Sequence, residues 1–421
     1  MSQANSKTAL AMTTSKVLGY HGVGRVSGNK KESLHVLLAS ASSGSQGGGE
    51  LYMAGLAKQL VAEGHQIDLV LSDHPRMDGL ADMIGAEIRV HRIPYVNSYD
   101  RKLRVFGAVF SRRTVATMTK VFQTIRPDII HINKQNVEDG LDLILAARRS
   151  GFPHVSTIHI THSMQSLNAV AGRLRDALTR RQLRTTGSHY LTTADAGRVE
   201  LSKYLQSQEH AATIHLVRNG VAPAPTADRA AIRQEWNCGP RDIVLGCVAR
   251  IERQKNPLFL VELLSRMPEN VRVIWVGDGR MRGELESAAS RYGVSNRLRI
   301  EGWRSDARVR MAGFDVFVLP SEYEGFPFAA LEAMAAGLPC VVSDADGIRE
   351  AIIDGENGRL LPPSDMVAWV AAIEQAVADP PLRARWGAAA LRRYQQHFSL
   401  EAMACGTAAV YRKVIAQFRS R

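Results

Sequence analysis

Two carboxylates bracket one short segment, Ser321-Glu322-Tyr323-Glu324-Gly325-Phe326-Pro327-Phe328-Ala329-Ala330-Leu331-Glu332. Seven residues separate Glu324 from Glu332. The segment begins where the apolar run 316–319 stops, as a buried strand would. It runs into Leu331-Glu332-Ala333-Met334-Ala335-Ala336, a strong helix former. Pro327 suits a first helical position, where a missing N–H costs nothing. A helix after a parallel-type strand opens at the carboxyl end of its sheet, where open α/β sheets bind ligands. Its free N–H groups and partial positive charge suit a phosphate. Glu324 would face the cleft from the loop, and Glu332 would lie about 8 Å further along the helix. Two hydroxyl-seeking groups with a phosphate-seeking helix end between them fit a nucleotide diphosphate sugar. The sugar would lie at Glu324, the diphosphate by the amides of Phe326 and Phe328, and the ribose at Glu332. Alone, the pair is also what two solvated glutamates on a surface helix look like.

Other strand ends carry compatible chemistry. The run 243–248 ends in Ala249-Arg250-Ile251-Glu252-Arg253-Gln254-Lys255-Asn256-Pro257. Arg250 offers a planar fork and Lys255 a point charge, and a departing diphosphate can use both. Arg253 competes for either role. Val276-Gly277-Asp278-Gly279 and Gly302-Trp303 are further strand-end turns, where Gly277 and Gly302 would let a ligand approach the backbone. Trp303 is expected to be buried by packing, with a place beside a nucleobase as the alternative. Near the beginning, the run 34–39 leads into Gly44-Ser45-Gln46-Gly47-Gly48-Gly49-Glu50 and then a helix pattern over 51–61. Gly47 and Gly48 could sit against donor phosphate or sugar. The dinucleotide glycine spacing fails at Tyr52, and no Gly-Lys-Ser/Thr follows, so neither a nicotinamide site nor a P-loop fits. His159 ends the run Val155-Ser156-Thr157-Ile158-His159 and would face the cleft; His162 and His131 are weaker candidates.

The elements that must position these groups alternate in type. The runs 34–39, 67–71, 87–93, 128–132, 155–160 and 190–193 read as strands, and 243–248, 271–276, 298–301, 316–319 and 340–342 form a second series. Strands alternating with helices imply parallel sheets covered on both faces, an α/β class. Val221-Ala222-Pro223-Ala224-Pro225-Thr226 reads as a linker between two Rossmann-like domains, 33–222 and 226–400, with a cleft between them. Residues 1–32 are rich in Ser, Gly, Lys and Thr and read as a disordered tail without the apolar core of a secretory signal. Residues 401–421 read as a basic helix that could return to the first domain.

Composition bounds the rest. At 421 residues, 45% hydrophobic and 22% charged, the chain is that of a globular protein with more than one core. No run of 18 apolar residues is present, as a membrane-spanning helix requires. Four cysteines, Cys238, Cys247, Cys340 and Cys405, lack metal-like spacing and suggest a reducing cytoplasm. The net charge of +12 concentrates in Arg101, Lys102, Arg104, Arg112, Arg113, Lys120 and Arg126, and again in Arg173, Arg175, Arg180, Arg181 and Arg184. Such segments either dock on an anionic membrane surface or are solvated helix faces. No zinc finger, helix-turn-helix or aromatic RNA-binding motif accompanies the charge, so a nucleic-acid partner is not expected.

In order along the chain, these motifs resemble those of retaining glycosyltransferases of the GT-B fold, family 4, also called glycosyl transferases group 1. Gly47-Gly48-Gly49-Glu50 resembles the family's glycine loop, Arg126-Pro127-Asp128-Ile129-Ile130-His131 its Pro-Asp strand entry, and Thr157-Ile158-His159 its active-site histidine segment. Val217-Arg218-Asn219-Gly220-Val221 resembles its turn before the interdomain linker, and Arg250 with Lys255 its diphosphate clamp. Val276-Gly277-Asp278-Gly279, the Glu324-to-Glu332 motif, and Asn357-Gly358 with Pro362-Pro363-Ser364-Asp365 complete the set, which spans 34–365. Pro327 stands where the family often has Gly, and Asp346-Gly347 where it tends to have paired glycines.

The resemblance implies transfer of a sugar from a nucleotide diphosphate sugar to a saccharide or lipid-linked saccharide with retention of configuration. No cofactor and no metal are implied. His159, Arg250, Lys255 and Glu324 would be the catalytic set, with Gly47, Gly48, Gly277, Gly302, Phe326, Phe328 and Glu332 around the donor. Surface polysaccharide or lipopolysaccharide synthesis, in the cytoplasm or on the inner face of the membrane, is the setting it suggests. A non-catalytic glycan- or nucleotide-binding scaffold of the same fold and a sugar-nucleotide epimerase are the competing readings.

Overall fold

The computed structural model describes residues 32–41, 47–97, 101, 111–206, 213–324, 326–345 and 347–420. Expectations for 1–31, Gly44 to Gln46, Lys102 to Phe110, Gly325 and Asp346 therefore lie outside the described residues. Two parallel sheets carry the chain from Leu34 onward, within a single unit. Among the described residues the first sheet is built from β1 (His35–Ser40), β2 (Gln66–Ser72), β3 (Arg89–Ile93), β4 (Ile129–Asn136), β5 (His154–Ile160), β6 (His189–Thr192) and β7 (Ile214–Leu216). Their order is β3-β2-β1-β4-β5-β6-β7. The second sheet runs β10-β9-β8-β11-β12-β13, from β8 (Ile243–Val248), β9 (Val271–Val276), β10 (Leu298–Gly302), β11 (Val316–Leu319), β12 (Cys340–Ser343) and β13 (Gly358–Leu361). This is the doubly wound GT-B architecture.

The apolar runs are continuous because each strand is covered on both sides. In β1, Val36 and Leu38 join one core with α1 (Gly48–Ala62), while Leu37 and Ala39 join another on the opposite face. That second core holds Val115, Met118 and Phe122 of α3 (Arg112–Ile125) and Leu141, Leu143 and Ile144 of α4 (Leu141–Ser150). So α3 turns its apolar stripe inward, and its cationic residues Arg112, Arg113 and Lys120 are exposed. In the second sheet, Trp275 and Trp369 are fully buried, and their indole N–H groups donate to the carbonyls of Ala249 (2.8 Å) and Pro362 (3.0 Å).

Strand order reverses twice, at β1/β4 and at β8/β11. Ligands of such sheets bind beyond the carboxyl ends at these switch points. Every strand-end motif singled out from sequence near β1, β8 or β11 is thereby brought to a switch point.

Two expectations need correction. β7 and β13 are strands that the sequence pattern did not reveal, because one is three residues long and the other begins with glycine. Pro327 is the N-cap rather than the first helical residue of α11 (Phe328–Ala335): its ψ of 120° is extended, and its carbonyl accepts from Ala330 N–H at 3.2 Å. The Pro- and Ala-rich stretch between the sheets is tied down at its start. Val221 is buried and bridges Ser399, its N–H donating to Phe398 O at 2.9 Å. Arg308 then donates to the carbonyls of Ala222 and Pro223.

Beyond Phe398 the chain crosses to the first sheet as α14 (Leu400–Arg419), which packs on α1 through Met403, Ala404, Ala408 and Tyr411. Ser399 caps it, its hydroxyl accepting from Ala402 N–H at 3.2 Å.

Candidate functional site

A cleft of about 400 Å³ opens at the carboxyl ends of β5 and β6 and reaches the second sheet. His159, Thr161, His162, Glu200 and Lys203 line it from the first sheet's side, and Glu324 and Gly347 from the other. The strand-end histidine and the first of the paired carboxylates thus share one hollow.

Glu324 follows β11 by five residues and is buried. Its Oε1 accepts from Ser321 Oγ at 2.6 Å and pairs with Lys255 Nζ. Lys255 ends the single turn Arg253–Lys255 after β8, and β8 lies beside β11 in the sheet, so the cation is delivered to the carboxylate. The sequence reading places Lys255 with Arg250 on a phosphate; in the structure Lys255 pairs with Glu324. Arg250, at the end of β8, is exposed. Arg253 is also exposed and stands 4.0 Å from Glu322.

The loop into α11 presents free backbone donors. The N–H groups of Phe326, Phe328 and Ala329 have no acceptor among the described residues. Phe326 contributes only its backbone: its ring is buried against Phe398 (centroids 5.6 Å apart), and its carbonyl accepts from Asn219 Nδ2 at 3.2 Å. Phe328 faces the glycine loop, where a Cβ on Gly48 would lie 3.4 Å from its ring. Gly47 caps α1, its N–H donating to Glu50 Oε2 at 3.1 Å.

Glu332 sits one turn into α11, with Arg308 Nε of α10 (Ala307–Arg310) 3.4 Å from its Oε1. Burial raises its pKa to about 7, and Arg308 offsets part of that rise. A raised carboxyl pKa stabilises the fold while the proton is on, and that contribution fades as pH climbs from the ordinary carboxylate range through about 7. Glu332→Gln should therefore match the wild type at pH 5 and exceed it at pH 8, by at most about 3 kcal/mol. Urea unfolding at the two pH values measures this; a difference independent of pH would refute it.

Gly277 and Gly302 pair with each other, Gly277 N–H donating to Gly302 O at 2.8 Å. Gly277 lies at φ 143° with no room for a Cβ, which would stand 2.0 Å from Ala249 O. Backbone crowding, with or without a ligand, accounts for it. Trp303 is not packed: it is 65% exposed.

On the first sheet, His159 Nε2 lies 2.8 Å from Asn133 Oδ1, and Asn133 Nδ2 donates to Gly49 O at 2.8 Å. Tyr52 meets the His159 ring edge-on with centroids 4.9 Å apart. Burial lowers the His159 pKa to about 4. His131 is fully engaged elsewhere, with Tyr411 Oη at 2.5 Å and Thr157 Oγ1 at 2.8 Å, which ties β4 to α14. His162 is half-buried, 3.6 Å from Glu200 Oε2, which also accepts from Thr161 Oγ1. Glu350 bridges the two sheets: its carboxylate takes Asp195 N–H at the start of α6 (Asp195–Leu205) and Arg218 Nε at 2.9 Å.

Sequence reasoning missed Asn133, Ser321 as a partner of Glu324, and Glu350. The available signal for Asn133 was a polar residue closing the run Ile130-His131-Ile132. Among the described residues no group of three His, Cys, Asp or Glu side chains is placed to hold a metal ion, and no helix is long and apolar enough to cross a membrane.

Two family models match. Residues 46–225 match Glycosyltransferase Family 4, and 228–393 match Glycosyl transferases group 1. The lipopolysaccharide core biosynthesis glycosyltransferase LpsE of Rhizobium meliloti is 36% identical over 160 residues, 38% of this chain and 47% of that protein. The chain thus spans about half the length of that relative. A GDP-mannose-dependent alpha-mannosyltransferase of Mycolicibacterium smegmatis is 27% identical over 78% of this chain and 84% of its own length. The structure of Anabaena Alr3699/HepE in complex with UDP and glucose superposes with a TM-score of 0.75 at 21% identity, covering 90% of this chain and all of that one. With both halves matched in order on a GT-B frame, the chain belongs to the glycosyltransferases of family 4, the glycosyl transferases group 1.

Proposed function

We propose that this chain moves a hexose from a nucleotide diphosphate sugar to a saccharide or lipid-linked saccharide, with retention of configuration, in building a surface polysaccharide or lipopolysaccharide. The observation that carries this reading is the shared cleft of His159 and Glu324, with free amides at Phe326, Phe328 and Ala329 just beyond. The HepE complex with UDP and glucose and the role in the LpsE name support the donor and acceptor classes.

In this reading the diphosphate meets those amides and the exposed Arg250, where the helix end favours negative charge. Lys255 stands at the border, able to share its charge between Glu324 and the phosphate. Glu332 holds the ribose, and the exposed Trp303 is presented to the base. The bond from the anomeric carbon to the phosphate oxygen breaks as a bond to the acceptor oxygen forms on the same face. The acceptor's proton passes to the departing phosphate. Arg250, Lys255 and the amides stabilise charge growing on the leaving group without a metal; one such donor contributes about 3 kcal/mol. Glu324 stabilises the positive anomeric centre, and His159 orients the sugar. Gly47 and Gly48 close the glycine loop over it.

The acceptor's lipid would bring the chain to an anionic membrane from the cytoplasmic side. Val170 is 88% exposed, and Leu174 is exposed beside Arg173, Arg181 and Arg184 on α5 (Gly172–Thr185).

Thermal unfolding with UDP-, GDP- and ADP-sugars tests the donor, since a ligand at 100 times its Kd adds about 2.7 kcal/mol. Product anomeric coupling should then show retention, a chelator should leave the rate unchanged, and sedimentation with anionic vesicles should carry the protein down. Inversion or a requirement for added metal would refute the mechanism. Loss of the sugar from its nucleotide without any acceptor would favour the epimerase reading.

A further inference from the structure

The side of His159 that faces away from the cleft fixes what the cleft side can do. Gly49 O can only accept, so the Asn133 atom 2.8 Å from it is the amide nitrogen. Asn133 Oδ1 is then the atom beside His159 Nε2, also at 2.8 Å, and an oxygen can only accept. The proton of the neutral ring must be on Nε2, which leaves Nδ1 as a bare lone pair. Nδ1 has no hydrogen bond among the described residues, while the half-buried ring lines the cleft. Asn133 itself is 2% exposed, so water does not compete for either bond. It is held opposite Thr157 by the parallel register of β4 and β5, and Tyr52 fixes the plane of the imidazole. Gly49, at the start of α1, is the anchor of the relay.

We infer that Asn133 is a positioning residue that holds His159 in the Nε2–H tautomer, so that the cleft meets a hydrogen-bond acceptor there and never a donor. The inference deepens the sugar-cleft reading and rests on it for its ligand. A lone pair welcomes a hydroxyl and repels a carboxylate. The sugar therefore presents a neutral hydroxyl to Nδ1, and a donor that carries a carboxylate at that position is refused. With the C6 hydroxyl as that group, the substrate class is a neutral hexose rather than its uronic acid.

Two independent readouts test this. Long-range proton–nitrogen correlation on the chain labelled with ¹⁵N-histidine reads the tautomer directly, with His159 assigned by its loss in His159→Gln. The wild type should show Nε2 protonated and Nδ1 bare. Asn133→Leu should give mixed tautomers. A proton on Nδ1 in the wild type overturns the inference, and so does an unchanged pattern in Asn133→Leu. The wild-type spectrum decides even if the leucine variant fails to fold. Calorimetry then compares UDP-glucose with UDP-glucuronate and GDP-mannose with GDP-mannuronate. In whichever pair binds, the uronate should be about tenfold weaker or worse; equal binding overturns the substrate class. If neither neutral donor binds, the sugar-cleft reading falls with it, while the tautomer spectrum still judges Asn133 alone.

Discussion

Glu324→Gln is expected to lower the transfer rate about a hundred- to a thousandfold at saturating donor, with the fold intact. The glutamine keeps the shape and can still accept from Ser321, but it gives the anomeric centre no negative charge. Glu324→Ala should behave differently. It strands the Lys255 ammonium, which is only 15% exposed, beside an apolar methyl. Breaking one partner of a buried pair costs about 3–5 kcal/mol, so the alanine variant should lose both activity and thermal stability. Arg250→Ala supplies the contrast, because an exposed arginine contributes within about 0.5 kcal/mol to stability. Its rate should fall as far as that of Glu324→Gln while its melting temperature stays put. Steady-state kinetics and calorimetric melting on the three variants separate these outcomes. A glutamine variant that kept more than a tenth of the rate would remove Glu324 from the chemistry.

Gly277→Ala should be among the most damaging single methyls in the second sheet. At φ 143° an L side chain is strained, and the new Cβ would stand 2.0 Å from Ala249 O, a backbone atom that cannot swing aside. Strain of about 1–3 kcal/mol adds to overpacking of similar size, a combined loss of roughly 3–5 kcal/mol. Gly302→Ala is the control. It shares positive φ, at 70°, but its Cβ would meet nothing closer than 3.7 Å, so only the conformational cost of about 1–2 kcal/mol applies. Chemical denaturation should rank the two accordingly. Equal losses would show that crowding against Ala249 does not set the need for glycine at 277.

The α/β class and most strands are legible because burial on both faces leaves continuous apolar runs such as Val36 to Ala39. β7 and β13 are not, since a three-residue edge strand and one that opens on glycine carry too little pattern. The site divides in the same way. Residues at strand ends announce themselves, as His159 and Glu324 do. Their partners do not, because partnership depends on which strands become neighbours and in what register. Lys255 reaches Glu324 across 69 positions only because β8 lies against β11. Asn133 reaches His159 only because β4 and β5 align Asn133 with Thr157. Trp303 misled for a simpler reason: large aromatics are usually buried, and nothing local in the sequence marks the exception.

The place where the chain passes between its sheets works as a lever. Val221 on the outward pass and Ser399 on the return lie side by side, so a turn of the sheets about that line would keep this bridge and a slide would break it. One residue from each pass also grips Phe326: Asn219 by its carbonyl and Phe398 by its ring. Any turn must therefore drag the segment that leads into α11. Reciprocity demands the converse, so a molecule that pins this segment also sets the angle between the lobes. Grip and gape become a single coordinate, and a bound phosphate would be felt first at the fulcrum.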